Sequence, residues 1–135
     1  VNVWVALAHE IHPHHASATE WGESLGSETI LFFCRFTQLG LLRLLTNPSA
    51  MGEDVLTQAK AWRVYDAFLR TARAQLAEEP RGINPLFREL TSRSEVSTKR
   101  WADGYLAAFA IAAGFQLVTF DRALAGRVKG AVLLS

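Results

Sequence analysis

The sequence predicts an α/β fold built on a parallel sheet with helices on both faces. Three observations carry that prediction. Apolar runs alternate with helix-like stretches along the chain, and those runs are continuous, as strands buried on both faces require. The segment from Trp101 to Asp121 then places a helix, a glycine stop and a strand in direct succession. Within it, Asp103 to Ala113 is mostly strong helix formers, Gly114 is a natural left-handed cap, and Phe115 to Phe120 is rich in aromatic and β-branched residues. A helix of about ten steps and a strand of about five are each roughly 15 to 17 Å long. Packed antiparallel, they return Asp121, at the strand's C-terminal end, beside Asp103, at the helix N-terminus. Ligands bind at that end of such sheets.

The other elements follow from local chemistry. Val1 to Ala8 opens inside an apolar element, with no polar lead-in and no methionine, so the natural polypeptide is expected to extend upstream. His14 to Leu25 fits a helix with Pro13 in its first turn, and Thr29 to Cys34 fits a buried strand. Thr37 to Thr46 is a leucine-rich helix that Asn47-Pro48 terminates. From Asp54 or Thr57 runs a long amphipathic helix, with Ala61, Val64, Phe68 and Ala72 inward and Lys60, Arg63, Asp66, Arg70 and Arg73 outward. Glu78 to Pro85 is a loop, Leu86 to Leu90 a further helical patch, and Ala131 to Leu134 a last short strand.

At 135 residues, half of them hydrophobic, the chain is expected to form one domain with a proper core. A net charge of +1 neither announces nor excludes a polyanionic partner. Cys34 is the only cysteine, which excludes an intrachain disulfide, and with no leader-like start the expected location is cytoplasmic. Gly104 to Phe120 is apolar, yet it holds Gln116 and the Gly114 stop, which favours core burial over a membrane span.

Several motifs, in order, give the chain a family likeness. Asp103-Gly-Tyr-Leu-Ala-Ala-Phe-Ala followed by Thr119-Phe120-Asp121 resembles the C-terminal half of a PIN domain, specifically the VapC-type toxin ribonucleases of bacterial toxin–antitoxin pairs. Val1-Asn2-Val3-Trp4-Val5-Ala6-Leu7, the turn His12-Pro13-His14-His15 with Trp21 after it, and Leu41-Leu42-Arg43-Leu44-Leu45-Thr46-Asn47-Pro48 support the match, which covers nearly the whole chain. The resemblance implies a single PIN-like domain over residues 1–135, with a parallel sheet of four to five strands. It also implies an endoribonuclease that depends on Mg²⁺ or Mn²⁺, a cognate VapB-type antitoxin, an RNA substrate and a homodimer. Hard divalent cations on clustered carboxylates reverse the local charge, so that an anionic phosphodiester can approach.

Asp103 and Asp121 carry over onto two of the family's metal-binding carboxylates, and are the expected catalytic and metal-ligating residues. A third family aspartate would fall immediately before Val1. A fourth would fall between Gln38 and Gly40, where no residue is acidic. Those departures keep open a degenerate PIN domain acting as a non-catalytic RNA- or antitoxin-binding module. Asn2, Thr119 and Gln38 match positions that orient a ligand or water; Arg43, set among leucines, either pairs with a buried carboxylate or touches phosphate. Lys99, Arg100 and Arg122 would form a basic rim for the RNA backbone.

Plainer roles exist for the same residues. An aspartate near a helix N-terminus offsets the macrodipole, and one after a strand is an ordinary turn residue. The histidines from His9 to His15 lack HExxH spacing and read as a solvated loop and helix start. Cys34 reads as a small buried residue, and the four tryptophans as core or interface aromatics, with Trp62 facing a partner. A flavodoxin-like binder is disfavoured, because no Gly-rich phosphate loop is visible.

Overall fold

The computed structural model describes residues 1–135 in two compact units, Val1–Glu78 and Glu79–Ser135. It contains eight α-helices, one 3-10 turn and four short strands.

In the first unit, α1 (Asn2–Ala8) buries Val3, Trp4, Val5 and Ala6. Two valines in a seven-residue helix run against propensity, and their burial outweighs it. Helix α2 (His15–Ser24) is tied to the end of α1 by His15 Nδ1, 2.7 Å from the Ala6 carbonyl oxygen. Strand β1 (Leu31–Phe33) gives way at once to α3 (Arg35–Leu45), where the Thr37 hydroxyl accepts from the Cys34 N–H at 2.9 Å. Asn47 caps α4 (Pro48–Met51) by accepting from the Ser49 N–H at 2.9 Å, and a 3-10 turn follows over Gly52–Asp54. The Thr57 hydroxyl accepts from the Lys60 N–H at 3.2 Å and so starts α5 (Gln58–Arg70).

Helix α5 ends earlier than its apolar pattern predicts. Ala72, expected on the inner face, is exposed beyond the helix with φ 60°, and Arg73 turns back to donate from Nη2 to the Gly26 carbonyl at 3.0 Å. Strand β2 (Ala74–Leu76), which no local signal announces, pairs parallel with β1 in the register Leu31 to Ala74, Phe32 to Gln75 and Phe33 to Leu76. Trp4 stacks on Phe33 with ring centroids 3.7 Å apart, and Leu41, Leu45, Met51, Ala61 and Tyr65 complete this core.

In the second unit, α6 (Ile83–Thr91) begins inside the expected loop, with Pro85 in its first turn, where a missing N–H costs nothing. Helix α7 (Lys99–Ala113) ends on Gly114 at φ 69°, the left-handed cap anticipated from sequence. Strand β3 (Val118–Thr119), helix α8 (Arg122–Ala125) and strand β4 (Val132–Leu133) follow, and β3 pairs parallel with β4. Ala107, Ala110 and Val128 form the core with Leu90, Leu117 and Ala131 around them.

The expected single sheet of four to five strands is corrected to two parallel sheets of two strands each. The apolar runs are trimmed because their ends serve helices instead. Cys34 opens α3, and the Phe115 N–H closes α7 by donating to Ala110 O at 2.8 Å. No helix is long and apolar enough to cross a membrane.

Candidate metal and phosphate site

Asp103 lies in the second turn of α7, because the helix starts at Lys99 rather than at Asp103 itself. Its expected place at the N-terminus is thus corrected, and a capping role goes with it. At 7% exposure it is the one buried acidic residue in the chain. Its charge acts on the Lys99 ammonium, one turn earlier on the same helix. A carboxylate buried in this way is costly unless a cation compensates it.

Asp121 does two things at once. Its Oδ1 caps α8 by accepting from the Leu124 N–H at 3.1 Å, which is the plain turn role, while Oδ2 receives the Lys99 ammonium at 2.6 Å. The hydrogen bond from Lys99, then that from Leu124, holds the Asp121 carboxyl below the usual range. Reciprocally, Lys99 is raised, first by its hydrogen bond to Asp121, then by the charges of Asp121 and Asp103. One cation therefore feels both carboxylates. Thr119, 2% exposed, holds the Asp121 backbone by accepting its N–H on Oγ1 at 3.0 Å.

The arrangement fits a hard divalent cation. Two carboxylate groups, one buried and one with an oxygen already facing an ammonium, suit an ion that keeps several waters. No group of three or more His, Cys, Asp or Glu side chains surrounds it.

The remaining candidates are distributed as follows. Arg100 Nε pairs with Glu95 at 3.2 Å, and Arg122 is exposed in the single turn of α8. Lys99, read as open rim, is instead engaged with Asp121. Asn2, Gln38 and Arg43 belong to the first unit. Gln38, 5% exposed, accepts on Oε1 from Arg35 Nη1 at 2.5 Å. Gly40 has no room for any side chain, since a Cβ there would stand 2.5 Å from Val1 Cγ2. Arg43 is exposed in the last turn of α3 and pairs with no buried carboxylate. Of the histidines, His9 lies 3.0 Å from Asp54 Oδ2, and mutual repulsion adds to burial in lowering His12. Arg127 escaped notice in the sequence: its Nη2 donates to the Leu90 carbonyl at 2.7 Å, while its buried Nη1 has no partner.

A helix presenting a buried aspartate, followed by a parallel strand ending in a second, is the C-terminal pattern the motifs suggested. The PIN domain model matches residues 1–129, and the chain belongs to the PIN-domain family, within its VapC branch. It is similar to Ribonuclease VapC41 of Mycobacterium tuberculosis, strains CDC 1551 / Oshkosh and H37Rv, with 44% identity over 126 residues, 90% of this chain and 86% of the relative. Ribonuclease VapC38 of strain H37Rv is 32% identical over 128 residues, 90% of this chain and 82% of the relative.

Proposed function

We propose that the chain is the toxin of a VapBC-type pair, an endoribonuclease hydrolysing RNA phosphodiester bonds with Mg²⁺ or Mn²⁺ held by Asp103 and Asp121. One observation carries this reading: the buried Asp103 and the half-buried Asp121 both act on the single ammonium of Lys99, which Asp121 Oδ2 receives at 2.6 Å. Support also comes from the family match across 1–129, which favours one PIN-like domain over the chain, and from relatives named as ribonucleases, which favours catalysis over a purely binding module.

When bound, the cation supplies the positive charge that admits an anionic phosphodiester and lowers the pKa of the attacking water. The chain's own residues do the rest. Asp103 contributes negative charge from a site that excludes solvent, where its attraction for a cation is least screened. Thr119 and the Leu124 N–H fix Asp121 so that Oδ2 alone is left to face a cation. Lys99 neutralises Asp121 while the pair stands alone. A VapB-type antitoxin, a homodimeric state and a cytoplasmic location belong to the same reading.

The test is Mn²⁺ calorimetry on the wild type, Asp103→Asn and Asp121→Asn, alongside RNA cleavage. Each variant is expected to lose Mn²⁺ affinity and cleavage together. Unchanged Mn²⁺ titrations in both variants would remove the basis of the proposal.

A further inference from the structure

Beside the acidic pair, the second unit carries an open pocket of about 1120 Å³, lined by Arg93, Glu95, Lys99, Arg100, Trp101 and Arg127 among others. Four cations face one carboxylate there. Glu95 is spent on Arg100, and Lys99 on Asp121, so Arg93 and Arg127 have no acidic partner. Arg127 is the built element. Its Nη2 donates to the Leu90 carbonyl at 2.7 Å, which anchors the end of the side chain, while Nη1 is buried without a partner. Buried charged donors without acceptors are rare in folded proteins, and this one calls for an acceptor that the chain does not itself supply, be it water, an ion or a ligand.

We infer that this pocket seats a backbone phosphate of the RNA strand presented to Asp103 and Asp121, with Arg127 as the positioning residue. The inference rests on the ribonuclease reading. Continuity with the acidic pair favours RNA over an acidic peptide as the occupant. Lys99 belongs both to the pocket wall and to the Asp121 contact, and Arg127 Nη2 lies 3.9 Å from where a Cβ of Gly104, the residue after Asp103, would stand. An anion on Arg127 is thus next to the helix turn that carries Asp103. Trp101, 59% exposed in the same wall and braced edge-on by Phe87 at 6.3 Å, adds a flat apolar face against which a base can stack.

The experiment measures binding of a fluorescent RNA oligonucleotide in EDTA across a salt series, for wild type, Arg127→Met, Arg93→Gln and Trp101→Ala. Arg63→Gln, an exposed cation of the first unit, serves as control. Each pocket cation removed should weaken RNA binding several-fold and lower the slope of log affinity against log salt by about 0.7 to 1. Trp101→Ala should weaken binding without changing the slope. Mn²⁺ binding should be the same in all of them. Because Arg127→Met removes a buried hydrogen bond and is open to misfolding, the exposed Arg93→Gln carries the same test independently. If wild type binds and cuts RNA while the Arg93 and Arg127 variants keep its slope and affinity, the pocket proposal is wrong and the ribonuclease reading stands. If the variants lose binding to poly-glutamate but not to RNA, the occupant is an acidic polypeptide and the proposal is likewise overturned. Wild type that neither binds Mn²⁺ nor cuts RNA fails the underlying reading instead.

Discussion

Gly104, which follows the buried aspartate, offers a test of how tightly α6 holds the helix that carries the site. In an open helix interior, Gly104→Ala would stabilise the protein by about 1 kcal/mol through propensity. The structure predicts the opposite sign. A Cβ at Gly104 would meet Thr91 Cγ2 at 2.3 Å, far inside contact distance. Thr91 cannot simply rotate away, because its hydroxyl is donated to the Phe87 carbonyl at 2.7 Å. Relief requires either breaking that hydrogen bond, at about 1 kcal/mol, or shifting α6 from α7, with overpacking costs of about 1 to 3 kcal/mol. Taking about 2 kcal/mol for the strain and about 1 kcal/mol for the propensity gain leaves a net loss of about 1 kcal/mol. Urea unfolding of wild type, Gly104→Ala, Thr91→Ser and the double variant separates the two contributions. Serine removes the offending methyl, so in the Thr91→Ser background Gly104→Ala should recover its stabilising sign, giving a coupling of about 2 kcal/mol. Gly104→Ala that stabilises the wild type, or a double variant showing no coupling, would refute the close packing of these helices.

Four further outcomes are expected. Asp121 is depressed by Lys99 and Leu124, so its contribution to stability is full above the unfolded value of about 3.9 and is lost as pH falls through the lower folded value. The urea midpoint of Asp121→Asn should accordingly lie below wild type at pH 7 and converge with it as the pH is lowered below about 3.9. Leu41→Ala, at a position with no exposure, should cost about 2 to 5 kcal/mol, read as a lower urea midpoint. Ala72→Gly should stabilise by up to about 1 kcal/mol, because φ 60° suits glycine better than alanine, and thermal unfolding reports it. His12→Ala should leave metal-dependent cleavage within about a few-fold of wild type; a thousandfold loss, about 4 kcal/mol, would bring the histidine loop into the chemistry.

What the sequence discloses about this molecule divides along the range of the interactions involved. Caps and stops are local, and Thr57, Asn47-Pro48 and Gly114 act where their residue types place them. Strand pairing is not local: Ala74, Gln75 and Leu76 form β2 only because β1 lies alongside, and no β-branched residue among them advertises it. The length argument that pairs Asp103 with Asp121 needs its premises amended, since α7 begins at Lys99 and β3 has only two residues. Its remaining premise is that the chain reverses at Gly114. The distance from there back to Asp103 depends on helical rise alone, wherever the helix starts. The distance forward to Asp121 depends on extended backbone, whether or not every residue finds a strand partner. Arg127 had no such route to recognition. Its fixing contact is a main-chain carbonyl 37 positions away, which carries no side-chain signature, and its free donor is evident only once burial is known. Carboxylates near an element's ends leave a trace in spacing, whereas a guanidinium held by backbone leaves none, so Arg127 joins Lys99 and Arg100 in the pocket wall only once the chain is folded.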